Sequence, residues 1–278
     1  MINAILYPGQ QHNRRQMRRT SMIVLGYLAL AYWFTGWQLP ALLSAHPDIN
    51  FYLVQPAIWG GLALLTFYAW QRLPERPPFV AVLTGVAFVV GLFHLSVLVI
   101  AGVLVGFGES PTAGALINYP KNLLYIVTLL AGIETARAYL YSVWRRINET
   151  AAFFATTLIF FAVVIPAAQW TVIDDTDSFL RVGIGNWLPA LILSVLATWL
   201  VDFGGLGLSF AYRFPLVAFV WFSPRLPDLD WPVLALIGLL APLAAMALIQ
   251  NIYEPVAQPE SQPTDRDRDP PGADPWGG

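Results

Sequence analysis

Apolar residues in this chain fall in long unbroken runs, not in the two-residue or 3.6-residue alternation of elements that face water on one side. A helix needs about 20 apolar residues to cross a bilayer. Eight runs near or above that length occur at 22–43, 52–70, 79–105, 123–144, 151–170, 187–202, 204–222 and 231–253. The pattern predicts an all-α fold: a polytopic transmembrane helix bundle of about eight spans. The third run is long enough to tilt. The sixth and seventh are short and are joined by Asp202-Phe203-Gly204-Gly205, which suits a tight helical hairpin or two half-buried helices. The organisation read from these runs is a basic N-terminal segment (1–21), a helical bundle (22–253) and a polar tail (254–278). That tail, "EPVAQPESQPTDRDRDPPGADPWGG", lacks apolar periodicity and is expected to be disordered.

Charge sets the expected orientation. With the N-terminus inside, the inner segments hold Arg14, Arg15, Arg18, Arg19, Arg72, Arg76, Arg145, Arg146, Arg266 and Arg268. The outer loops hold only Lys121, Arg181 and Arg225. The excess of basic residues on one side predicts both termini in the cytoplasm and a location in the cytoplasmic membrane. Trp37, Trp70, Trp144, Trp170, Trp187, Trp221 and Trp231 fall near run ends, as an interfacial aromatic belt requires. The first run is longer than the apolar core of a signal peptide and lacks a cleavage site, so it is expected to remain as a span. Three outer loops follow from this topology: 108–122, an acidic loop at 171–186, and the Pro- and Asp-bearing "SPRLPDLD" at 223–230.

Composition narrows the picture further. Hydrophobic residues make up 57% of the 278 and charged residues 12%, about half the charged share of a soluble domain. The net charge of −2 offers no basic surface for nucleic acid. The absence of Cys excludes disulfides and thiol chemistry. The three His stand at 12, 46 and 94 without a metal-binding spacing, so neither a metal nor another cofactor is expected.

The candidate site lies inside the runs. A charge buried in hydrocarbon costs about 3 kcal/mol on insertion scales, so it needs a partner and marks a site. Glu134 and Arg137 stand three residues apart in the fourth run and share one helix face. Tyr141 follows on that face. Arg213 lies in the middle of the seventh run, where Gly205, Ser209 and Arg213 form an i, i+4 ladder. His94 lies within the third run, and Asp202 ends the sixth. One carboxylate against two guanidiniums leaves an excess of positive charge, suited to an anionic group or to Asp202. Such a cluster either joins helices or forms a binding site. Pro56, Pro166, Pro189, Pro215 and Pro242 fall in or near the spans, and Pro215 disturbs the turn that carries Arg213.

Three stretches resemble the multi-pass membrane region that some archaeal and bacterial ER-type signal peptidases carry after their catalytic domain: "GIETARAYL" (132–140), "GGLGLSFAYRFPL" (204–216) and "WFSPRLPDLDWPVLALIGLLAP" (221–242). The resemblance spans roughly residues 80–250. It implies a membrane component of protein export or surface-protein processing, acting beside a membrane-protein partner or on a polypeptide substrate. The serine-bearing catalytic domain of those peptidases has no counterpart here, so their activity is not implied. Glu134 and Arg137 also resemble, more distantly, part of the signature of Glu-dependent intramembrane proteases. That family pairs adjacent glutamates with a later Arg and later His or Asn helices. Here one Glu is present, the Arg follows at three residues, and His94 precedes both. The expected function is therefore a non-catalytic membrane component. A small-molecule or ion transporter and an intramembrane hydrolase stand as alternatives, the latter needing His94 beside water on Glu134.

Overall fold

The computed structural model describes residues 8–73, 81–110, 119–173 and 175–257, with side chains described between 16 and 252. The described residues are almost wholly helical. Helix α1 (Pro8–Trp33) continues through a π-helical turn at Phe34–Gln38 to Leu42. Helix α2 (Pro47–Gln71) contains a second π turn at Asn50–Val54. Then come α3 (Ala81–Val105), α4 (Tyr119–Trp144), α5 (Glu149–Val164), α6 (Thr176–Gly204), α7 (Leu206–Phe222) and α8 (Trp231–Ala257). Two short strands, β1 (Phe107–Glu109) and β2 (Arg225–Pro227), pair antiparallel in the register Phe107–Pro227, Gly108–Leu226 and Glu109–Arg225.

Helix α4 is the axis of the bundle. Every residue from Gly132 to Val143 is buried, so this helix is covered on all sides. It packs against α1, α2, α5, α6 and α7, while α3 and α8 close the far side of α7 and α6. One apolar core lies among α1, α2, α4 and α5, including Leu28, Leu62, Leu140 and Phe160. A second lies among α3, α6, α7 and α8, including Leu83, Leu196, Leu208 and Ile249. Glycines let two pairs of helices approach closely. A Cβ on Gly132 would sit 2.6 Å from the Trp59 carbonyl oxygen, and one on Gly91 would sit 2.4 Å from that of Tyr212.

The outer surface is apolar. Leu64, Val103 and Leu104 are 71–80% exposed, while the charged residues Glu134, Arg137 and Arg213 are buried within the bundle. Water would select the reverse arrangement. Six helices among the described residues are long and apolar enough to cross a membrane by length and composition.

The run at 151–170 does not form one helix of that length. Pro166 forces Ile165 into extended backbone (φ −71°, ψ 123°), which ends α5 after 16 residues, and a 3₁₀ turn follows at Ala167–Thr171. Helix α7 has 17 residues. The expected loop at 171–186 is instead largely helical. Asp175 accepts from the Ser178 amide at 2.7 Å in a reciprocal capping box and starts a helix that runs on through a π segment (Leu180–Trp187) into α6. Helix α1 likewise reaches back through the basic segment to Pro8. The expected polar tail at 254–278 is helical to Ala257 and lies outside the described residues beyond it, as does 111–118 of the loop at 108–122.

The helix directions are fixed by contacts at the two ends. Tyr119 and Asn122, at the start of α4, donate to the carbonyls of Phe222 and Trp221 at the end of α7. The β1–β2 pair sits at that same end. At the other end of α4, Arg145 pairs with Asp202 of α6 at 3.3 Å. Between α6 and α7 the chain reverses at Gly205, whose φ of +82° is open to glycine at no steric cost.

Candidate functional site: a sealed charge cluster

Glu134, Arg137 and Arg213 meet. Glu134 is fully buried on α4, and its two carboxylate oxygens face α7 and its own helix. Oε1 accepts from Arg213 Nη1. Oε2 accepts from Ser209 Oγ, one turn before Arg213, and lies 3.2 Å from Arg137 Nε. The i, i+4 ladder on α7 thus delivers a hydroxyl and a guanidinium to one carboxylate, while the i, i+3 spacing on α4 delivers the second guanidinium. Burial of a charge without such partners costs several kcal/mol, and removing one partner from a buried pair costs about 3–5 kcal/mol.

Arg137 also reaches α6. Its Nη1 donates to Ser194 Oγ at 3.1 Å, to the Ser194 carbonyl at 3.2 Å and to Thr198 Oγ1 at 3.0 Å. Ser194 Oγ in turn donates to the Thr157 carbonyl of α5 at 2.9 Å. The guanidinium carbon stands 4.6 Å from the centre of the Phe160 ring, a cation–π contact. Four helices are therefore joined at Arg137 and Glu134. The contacts to Ser194, Thr198 and Phe160 escape a reading of charges alone. Ser194, Thr198 and Asp202 nevertheless recur every four residues, a polar stripe on an otherwise apolar helix that points to this interface.

The other candidate residues lie apart from the carboxylate. His94 Nδ1 and the Tyr212 hydroxyl are 2.7 Å apart, joining α3 to α7. Tyr212 precedes Arg213 but lies about 100° round the helix, so the sequence neighbours serve different interfaces. Asp202 does not balance Arg213. It pairs with Arg145, with the Tyr141 hydroxyl alongside, at the solvent-reaching end of the α4–α6 seam, where both charged side chains are about one-third exposed (33% and 34%). Among the described residues no group of His, Asp and Glu is placed to hold a metal ion.

Two surface clefts lie away from the cluster. One is lined by Tyr27, Leu30, Trp33 and Ile58, the other by Ile165, Gln169, Asn186 and Pro189. Comparison of the chain with protein-family models, with curated proteins and with solved structures yields no match. The fold and the site together are those of a multi-pass helical bundle with an apolar exterior and a charged interior, compatible with a membrane protein.

Proposed function

We propose that this chain is an eight-span integral protein of the cytoplasmic membrane, with both termini inside. In this reading it acts without chemistry of its own, beside a partner in protein export or surface-protein processing. The observation that carries the reading is the saturation of Glu134. Its carboxylate accepts from Arg213 and Ser209 and lies against Arg137. A carboxylate so engaged is a poor general base, and its charge is spent on holding helices together. The stretches that resemble the signal-peptidase membrane region form one body: 132–140 on α4 and 204–216 on α7 join through Glu134 and Arg213, and 221–242 caps them at the β1–β2 end. The basic residues described at the Arg145 end outnumber those at the β2 end, in keeping with that end facing the cytoplasm.

The test is to remove the chain from its own cells and follow exported precursors by mass. Uncleaved precursors accumulate on removal, and a Glu134→Gln/Arg137→Gln/Arg213→Gln triple variant that still folds restores their processing. Normal processing in its absence overturns the reading. So does a Glu134→Gln variant that folds as wild type yet fails to restore processing, since Glu134 would then have a chemical role.

A further inference from the structure

The central cluster holds one carboxylate and two guanidiniums, so it carries a net charge of one positive unit. Glu134 and Arg137 are 0% exposed and Arg213 is 6% exposed. The nearest candidate for balance, Asp202, is engaged by Arg145 at the end of the seam.

Buried hydrogen-bond donors are left over on α4 and α5. Arg137 Nη2 is buried with no acceptor, and so are the hydroxyls of Thr156 and Thr157 on α5. These threonines are unusual in this chain. Thr66, Thr128, Thr135 and Thr198 each donate to the carbonyl four residues back, the ordinary way a helical hydroxyl is satisfied. Thr156 and Thr157 do not. Both lie one turn before Phe160, whose ring sits against the Arg137 guanidinium. Ser194 Oγ, which accepts from Arg137 Nη1, donates to the Thr157 carbonyl. Leftover donors, excess positive charge and exclusion of solvent thus occur together on two helices that meet at Arg137 and Phe160. A bound anion satisfies all three, because it only accepts hydrogen bonds and cancels the charge.

We propose that a small monovalent inorganic anion of the halide class binds between α4 and α5, held by Arg137 Nη2 and the hydroxyls of Thr156 and Thr157. The sealing of the site favours a bare ion over a lipid phosphate or a peptide carboxylate, each of which brings a bulky remainder. The inference goes beyond the proposed function: a chain that fails to bind an anion leaves the processing role standing, and the reverse also holds.

The experiment uses the full chain in detergent, with chloride as the probe and gluconate as the large counter-anion at matched ionic strength. Equilibrium dialysis with radioactive chloride is expected to give one saturable anion per chain, and chloride is expected to raise the unfolding temperature saturably. Thr156→Val/Thr157→Val keeps the volume and the Glu134–Arg137 contact but removes two donors. It is expected to weaken chloride binding at least about tenfold, since a hydrogen bond to a charged group contributes ~1.5–3 kcal/mol. Arg213→Gln removes the excess charge and is expected to lower chloride occupancy as well. No saturable chloride on the wild-type chain overturns the proposal, whether or not the variants fold. Undiminished binding in the threonine double variant overturns the assigned ligands.

Discussion

Glu134 is the residue on which the interior depends. Replacing it with Gln leaves two buried guanidiniums facing each other without a counter-charge. Glu134→Gln is therefore expected to destabilise the protein by about 3–5 kcal/mol, the cost of breaking a buried pair. Arg213→Gln leaves a neutral Glu134–Arg137 pair and is expected to cost less. Thermal unfolding of both variants in detergent checks the order, and an Arg213 variant weaker than the Glu134 variant contradicts it. The pairing of Glu134 with Arg137 on one face of α4, and of Ser209 with Arg213 on one face of α7, was legible from spacing, but that the two faces meet was not. The separate fates of His94 and Asp202 were not legible. They depend on how α3 and α6 rotate about their axes, and near-continuous apolar runs carry little information on that angle.

At the scale of elements, run length alone misplaced two boundaries. The fifth run looked continuous, yet Pro166 ends its helix six residues short of the run's end, and the preceding residue takes extended backbone as proline demands. The stretch at 171–186 looked like an acidic loop between two runs, but Asp175 and Ser178 are the two ends of a capping box, a local signal that polarity masks. Hydrogen bonds from the Ser178 amide and then its hydroxyl hold the Asp175 carboxyl below its ordinary 3.8. Protection of the amides at 176–180 is thus present above that value and is lost as pH falls below it. Hydrogen exchange across that range checks this, and an Asp175→Ala variant should show the loss at every pH. Helix contacts give a second expectation. Gly132→Val drives a side chain into the Trp59 carbonyl and is expected to cost at least ~1–3 kcal/mol, the usual range for overpacking. Gly26→Ala meets nothing within 4 Å and is expected to be neutral or stabilising by up to about 1 kcal/mol. Unfolding of the two variants side by side separates close approach from mere helix propensity.

At the scale of the whole molecule, alternating runs forecast that the loops after α3 and α7 emerge on the same side, and the β1–β2 pair joins those two loops. The chain has no Cys of its own, so a Gly108→Cys/Leu226→Cys pair gives a clean reporter. Oxidation is expected to cross-link these register partners, seen as a gel shift after cleavage between them. A Gly108→Cys/Ile147→Cys pair, set at opposite ends of α4, should stay unlinked.

The Gly204–Gly205 reversal has a consequence for how the protein is made. Glu134 and Arg137 leave the ribosome together and can enter the bilayer as a self-compensated couple. Arg213 leaves some 76 residues after Arg137, on a helix of 17 residues that is short for the hydrocarbon and carries no acid of its own. The tight reversal ties that helix to α6, so the two can enter as one hairpin. The carboxylate that receives Arg213 is by then already waiting in the membrane. The order of synthesis thus matches the order of electrostatic need, and an N-terminal portion ending before α6 already holds the docking point for the portion still to come.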